Sequence, residues 1–123
     1  MAAVLAWEVN KHFGEWSGKR REYLAPLVEE SLKTAAAVLC GGNILLTHLS
    51  FGAVEGFWEY FNRRNGYYAG LAALASHSIF GFITVSVYRF YGTLPPALGA
   101  GILVHLAWNF LVVKLLEERH RCK

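Results

Sequence analysis

"YYAGLAALASHSIFGFITVSVY", Tyr67–Tyr88, runs for 22 residues without an Asp, Glu, Lys or Arg. An apolar helix of ~20 residues is what the hydrocarbon core of a bilayer demands. The stretch therefore reads as a membrane span, with one histidine, His77, near its middle. Its flanks support that reading. "NRRNG" (Asn62–Gly66) before it is a polar turn with two arginines. "YGTLPP" (Tyr91–Pro96) after it ends one helix and starts another, with proline in the new first turn.

The same pattern repeats on either side. A second apolar helix is predicted from about Ile44 to Phe61, and another from about Pro96 to Leu116. The first runs from about Tyr23 to Leu39 and stops at "CGGN" (Cys40–Asn43), a helix stop and tight turn. The expectation is an all-α polytopic membrane protein, a bundle of about four transmembrane helices. Residues 1–22 form a cytoplasmic or interfacial segment, 23–116 the transmembrane core, and 117–123 a cytoplasmic tail. Leu5, Val9, Phe13 and Trp16 fall at helical spacing. They predict a short N-terminal amphipathic helix in the interface, with a frayed terminus as the alternative.

Basic residues set the orientation. Lys11, Lys19, Arg20 and Arg21 precede the first span, Arg63 and Arg64 separate the second and third, and Arg119, Arg121 and Lys123 follow the fourth. Arg89 is the only basic residue near the other two loops. This alternation predicts an integral, multi-pass membrane protein with both termini in the cytoplasm. It also explains the net charge of +3. The cations flank apolar segments rather than forming a stripe with stacking aromatics, so no nucleic-acid partner is expected. The chain is 54% apolar, lacks aspartate and has a mean hydropathy of +0.30. Cys40 and Cys122 stand far apart, so neither a disulfide framework nor a zinc knuckle follows. Met1–Leu5 is too short an apolar run for a cleavable signal peptide.

Ionisable groups inside spans are costly and face the bundle interior. Glu29, Glu30 and Lys33 lie on the first helix, His48, Glu55 and Glu59 on the second, His77 on the third, and His105 and Asn109 on the fourth. At ~1.5 Å per residue, Glu30 and Glu55 each lie roughly 10 Å from the cytoplasmic ends of their helices. His77 lies about 15 Å from Tyr67 and His105 about 13 Å from Lys114. Four helices thus deliver acids and imidazoles to one slab on the cytoplasmic side of the midplane. His48 lies near the outer end of the second helix and reads as interfacial. Glu59 reads as a headgroup-level charge near Arg63. Each residue also has a structural reading: Glu29 and Lys33 can pair at i, i+4, Glu55 can pair with Lys33, and a lone histidine or Asn109 can bond across helices.

Taken together, the set suits a hydrolase. A carboxylate base and an imidazole can activate water, and the Asn109 amide, one turn from His105, can donate to a developing oxyanion. Glu and His also ligate zinc and iron, so the cofactor is either none or a divalent metal such as zinc.

The spacing resembles that of the PrsW-type intramembrane proteases. "EESLK" (Glu29–Lys33) is similar to their EExxK motif and "FGAVE" (Phe51–Glu55) to their FxxxE motif. "SHSIFG" (Ser76–Gly81) resembles their third motif, and "HLAWN" (His105–Asn109) their last, HxxxN-like one. These proteases are related to the CAAX prenyl-endopeptidases and bacteriocin-immunity proteins. That group usually has histidine in place of Glu55 and an arginine near the place of Lys33. The resemblance spans Glu29 to Asn109, whereas relatives usually have more than four spans.

The resemblance implies hydrolysis of a peptide bond in a membrane-associated substrate, a membrane protein or a lipidated peptide. Glu29 and Glu30, with Glu55, would supply the base. His77 and His105 would position water or stabilise charge, and Asn109 would assist at the oxyanion. Lys33 would hold the carboxylates, with Phe51 as the aromatic of its motif. Were a metal to take part, Glu30, Glu55, His77 and His105 would be its ligands. A four-helix site would be shielded best in a homo-oligomer. The alternative is a non-catalytic membrane scaffold or binding protein that uses the same polar cluster for helix packing.

Overall fold

A computed structural model describes residues 21–121, so the proposed N-terminal interfacial helix lies outside the described residues. The described residues are all-helical: α1 (Arg21–Leu39), α2 (Ile44–Asn62), α3 (Gly66–Tyr91) and α4 (Leu94–Arg121). The four helices expected between Tyr23 and Leu116 are present, and the observed ends extend the expected ones by up to about one and a half turns.

The connections follow from local chemistry. After α1, Gly41 adopts φ 62°, a left-handed conformation that suits glycine. Gly42 N–H donates to the Ala37 carbonyl at 2.6 Å and Gly41 N–H to Val38 at 3.2 Å. This is a Schellman stop, which satisfies the last carbonyls of α1. The next residue, Asn43, caps α2 by accepting the Leu46 N–H at 3.2 Å. "CGGN" therefore ends one helix and begins the next with no residue to spare. Gly92, φ 68°, ends α3 in the same left-handed region, and Pro95 and Pro96 occupy the first turn of α4.

Short turns make successive helices antiparallel. α1 packs on α2 and α4, and α3 packs on the same two. The α2–α3 pair is the tightest. A Cβ on Gly56 would lie 2.8 Å from the Gly70 carbonyl oxygen, and one on Gly70 would lie 2.7 Å from that of Gly56. Glycine at both positions lets the two backbones touch.

Burial is inverted relative to a water-soluble bundle. Among the described residues the buried polar side chains are Glu30, Lys33, Thr34, His48, Ser76, His77, Thr84 and His105. The buried apolar ones are chiefly Phe80, Ile44 and two alanines. Phe57, Trp58, Phe61, Tyr68, Phe82, Phe90, Leu103 and Phe110 face outward. α3 and the Leu94–Val112 part of α4 are long and apolar enough to cross a membrane. α1 carries Glu29, Glu30 and Lys33 and α2 carries Glu55 and Glu59, and neither helix is apolar enough over its length to meet the same criterion.

Candidate functional site

Each helix turns one stripe of polar and small residues inward. On α1 the buried stripe is Pro26, Glu30, Lys33, Thr34 and Ala37, at the spacing of one helix face. On α2 it is Ile44, His48, Gly52 and Gly56. α3 contributes Ser76, His77, Phe80, Gly81 and Thr84. α4 contributes Ala97, Gly101 and His105, each four residues apart.

Glu30 is the hub of the enclosed part. Its Oε1 accepts from Lys33 Nζ at 3.0 Å and is paired with His105 Nδ1 at 2.9 Å. Its Oε2 is paired with His48 Nε2 at 2.8 Å. Glu30, Lys33 and His48 are all fully buried. Gly101 makes room for this carboxylate, since a Cβ there would lie 3.2 Å from Oε2 and 2.6 Å from Thr84 Oγ1.

Lys33 links the hub to a second acid. Its ammonium lies 3.2 Å from His77 Nδ1, 3.6 Å from Glu29 Oε2 and 4.9 Å from the centre of the Phe51 ring. An ammonium only donates, so His77 Nδ1 accepts and the ring proton sits on Nε2. That N–H donates to Glu55 Oε2 at 2.5 Å. His105 has the opposite tautomer. Its Nδ1–H donates to Glu30, and Nε2 is left as the acceptor. Phe80 stacks on His105 with centroids 4.8 Å apart and meets His77 edge-on. The two imidazoles are thereby held 5.7 Å apart.

Beside this network a cleft of about 630 Å³ runs between α3 and α4 towards the α2–α3 turn. Glu55, Ser76, His77, His105, Trp108 and Asn109 line it. Arg63 and Arg64 stand at its end. Arg63 donates from Nε to Glu59 Oε2 at 2.6 Å, and this bond raises its guanidinium pKa above the ordinary value. Glu30, Lys33 and His48 do not line the cleft. The Glu55 side chain is 52% exposed. The arrangement has two tiers: a closed, ion-paired hub and an open cleft with a carboxylate, two imidazoles and an amide.

Glu30, Lys33, Glu55, His77 and His105 are joined in one network, and Asn109 shares the cleft. Glu29 stays at the edge of that network, in reach of Lys33. The interfacial reading of His48 is corrected: it is a buried partner of Glu30. Depth counted along separate helices put His48 too far out. The long Glu30 and His48 side chains span the difference. The signal was present in the i, i+4 stripe Ile44–His48–Gly52–Gly56, which places His48 on the packed face of α2.

The four candidate metal ligands do not fit a metal ion. The Lys33 ammonium stands between Glu30 and His77, and both Glu30 oxygens are already engaged. Among the described residues no three His, Cys, Asp or Glu side chains are placed to hold one. No protein-family model, curated protein or solved structure matches the chain.

Proposed function

We propose that the chain is a four-span intramembrane endopeptidase that hydrolyses a peptide bond of a membrane-associated substrate in the α3–α4 cleft. The membrane part rests on the inverted burial. An aromatic and aliphatic exterior around a core of Glu30, Lys33 and three histidines suits lipid, where exposed charge is the costly state. The flanking basic residues support a cytoplasmic side for both termini and for the Arg63–Arg64 end of the cleft.

The observation that carries the chemistry is Glu55, a half-exposed carboxylate in a cleft it shares with His77, His105 and Asn109. His77 holds Glu55 through its Nε2–H. A water in the cleft donates one proton towards Glu55 and the other towards Nε2 of His105. Glu55 takes the proton as the water oxygen attacks the substrate carbonyl carbon. The Asn109 amide donates to the resulting oxyanion. On collapse the C–N bond breaks and Glu55 returns its proton to the leaving amine. Glu30 acts from behind, by fixing the His105 tautomer, as the carboxylate does in a catalytic triad. The acid that most resembles a base in the sequence is thus the orienting one. The substrate is a membrane protein or a lipidated peptide, and a homo-oligomer would shield the cleft from lipid.

The test is cleavage of a library of transmembrane and lipidated peptides by the reconstituted protein and by Glu55→Gln and His105→Ala. Loss of cleavage in variants that keep their helicity and melting behaviour supports the reading. Unchanged turnover overturns it. The saturated Glu30–Lys33–His48 network favours a second reading, a non-catalytic scaffold held together by polar contacts between helices. In that case no peptide is cut, and Glu30 and Lys33 variants lose assembly alone.

A further inference from the structure

We propose that His48 is a positioning residue, which locks the Glu30 carboxylate in the orientation that fixes His105 as its Nδ1–H tautomer. The proposal rests on the hydrolase reading above only for its effect on turnover.

The proton arrangement can be counted. His48 Nδ1 lies 2.9 Å from the Ile44 carbonyl oxygen, which can only accept, so Nδ1 carries a proton. A neutral ring with that proton would present the Nε2 lone pair to Glu30 Oε2. Two acceptors 2.8 Å apart repel, so a further proton lies between Nε2 and Oε2. The contact is a charge-assisted hydrogen bond, about twice as strong as a neutral one.

That bond pins the carboxylate at its second oxygen. The charged and polar groups around Glu30 come from every neighbouring helix. Lys33 comes from α1, with Glu29 beyond it. His48 comes from α2, Thr84 from α3 beside Gly101, and His105 from α4. Lys33 and His105 both engage Oε1, so among the described residues only His48 is hydrogen-bonded to Oε2. With Oε2 released, the carboxylate can turn and offer His105 either oxygen or neither. The His105 Nδ1–H is then no longer fixed, and Nε2 is no longer held as the acceptor nitrogen of that ring.

Gly81 makes room for the His48 side chain. A Cβ on Gly81 would lie 2.6 Å from His48 Cβ and 3.0 Å from its ring, so α3 leaves the space empty. An apolar residue at position 48 would also fill that space, but it would leave Oε2 without its donor.

The test uses the full chain with ¹⁵N-labelled histidine in lipid bilayers, as wild type, His48→Gln and His48→Leu. Glutamine places an amide N–H where Nε2 stands, whereas leucine has no donor. Wild type and His48→Gln are expected to show His105 as a single Nδ1–H tautomer. His48→Leu is expected to show a mixture. With a cleavable peptide, His48→Leu lowers kcat about 10- to 100-fold with KM within about twofold, and His48→Gln recovers most of kcat. A His105 tautomer unchanged in His48→Leu overturns the proposal, and so does a His48→Gln variant as impaired as His48→Leu. Failure of the wild type to cut any peptide counts against the hydrolase reading alone, because the tautomer signal decides the role of His48 by itself.

Discussion

The ammonium of Lys33 reaches across the bundle to Nδ1 of His77 at 3.2 Å. This contact joins α1 to α3, which are not among the closely packed helix pairs. It also sets the His77 tautomer and, through it, the hydrogen bond to Glu55. Replacing Lys33 by Met keeps the stem and removes the charge. Glu30 then loses its cation, and His77 loses the donor that holds its Nδ1. Breaking a buried pair from one side costs about 3 to 5 kcal/mol. Unfolding of Lys33→Met in mixed micelles should show a loss of that order, with every histidine of the network changing its signal. A variant as stable as wild type would remove Lys33 from the centre of the fold.

Glu30 and Glu55 should respond in opposite ways to the same chemical change. Glu30 is enclosed and engaged on both oxygens, so Glu30→Gln places an amide donor among donors. Its stability should fall by roughly 3 kcal/mol, because the amide loses the negative charge and keeps one acceptor oxygen for three donating partners. Glu55 is half exposed, so Glu55→Gln should melt close to wild type while turnover drops by about 10²- to 10⁴-fold, the range for a lost general base. Paired melting curves and turnover numbers decide this. A stable, inactive Glu30→Gln beside an active Glu55→Gln would exchange the two roles.

Packing at the α2–α3 contact makes a test independent of chemistry. Gly56→Ala drives a methyl to 2.8 Å from the Gly70 carbonyl, and backbone cannot give way as a side-chain tip can. It should cost about 1 to 3 kcal/mol. Gly99→Ala on α4 meets open space in the monomer and should be neutral, or more stable by up to ~1 kcal/mol from the gain in helix propensity. Thermal unfolding of the two variants side by side checks the contrast. A destabilised Gly99→Ala would mean that this face of α4 packs against a second copy.

The helices were legible because their signals are local. "CGGN" holds the whole of a Schellman stop and the next cap, and the apolar length of Tyr67–Tyr88 needs no partner to be read. The residues of the network were legible as costly groups inside apolar helices. Their pairing was not, because it depends on how far one helix slides along its neighbour. Glu29 and Glu30 are adjacent and chemically alike, yet one is partly exposed and the other fully enclosed. That difference is a rotation of about 100° on α1, whose inward face is set by the packing of α2 and α4. For His48 the face is legible in the Ile44–His48–Gly52–Gly56 stripe, and only its depth relative to Glu30, set by how far α1 slides along α2, is not.

The proposed four-span topology has the α1–α2 turn and the α2–α3 turn on opposite sides of the membrane. Cys40 is exposed in the first turn, and Arg64 is exposed in the second. In a Cys122→Ser background, Cys40 is expected to react with a membrane-impermeant maleimide added outside intact cells. With Cys40→Ser and Cys122→Ser also in place, Arg64→Cys is expected to react only after the cells are permeabilised, because the proposed topology has the arginine-bearing turn in the cytoplasm. Removing one arginine leaves Arg63 and the basic flanks, so the orientation should hold. Labelling of both positions from the same side would mean that α2 does not cross. The Glu55 cleft would then open to water along its length rather than within the membrane.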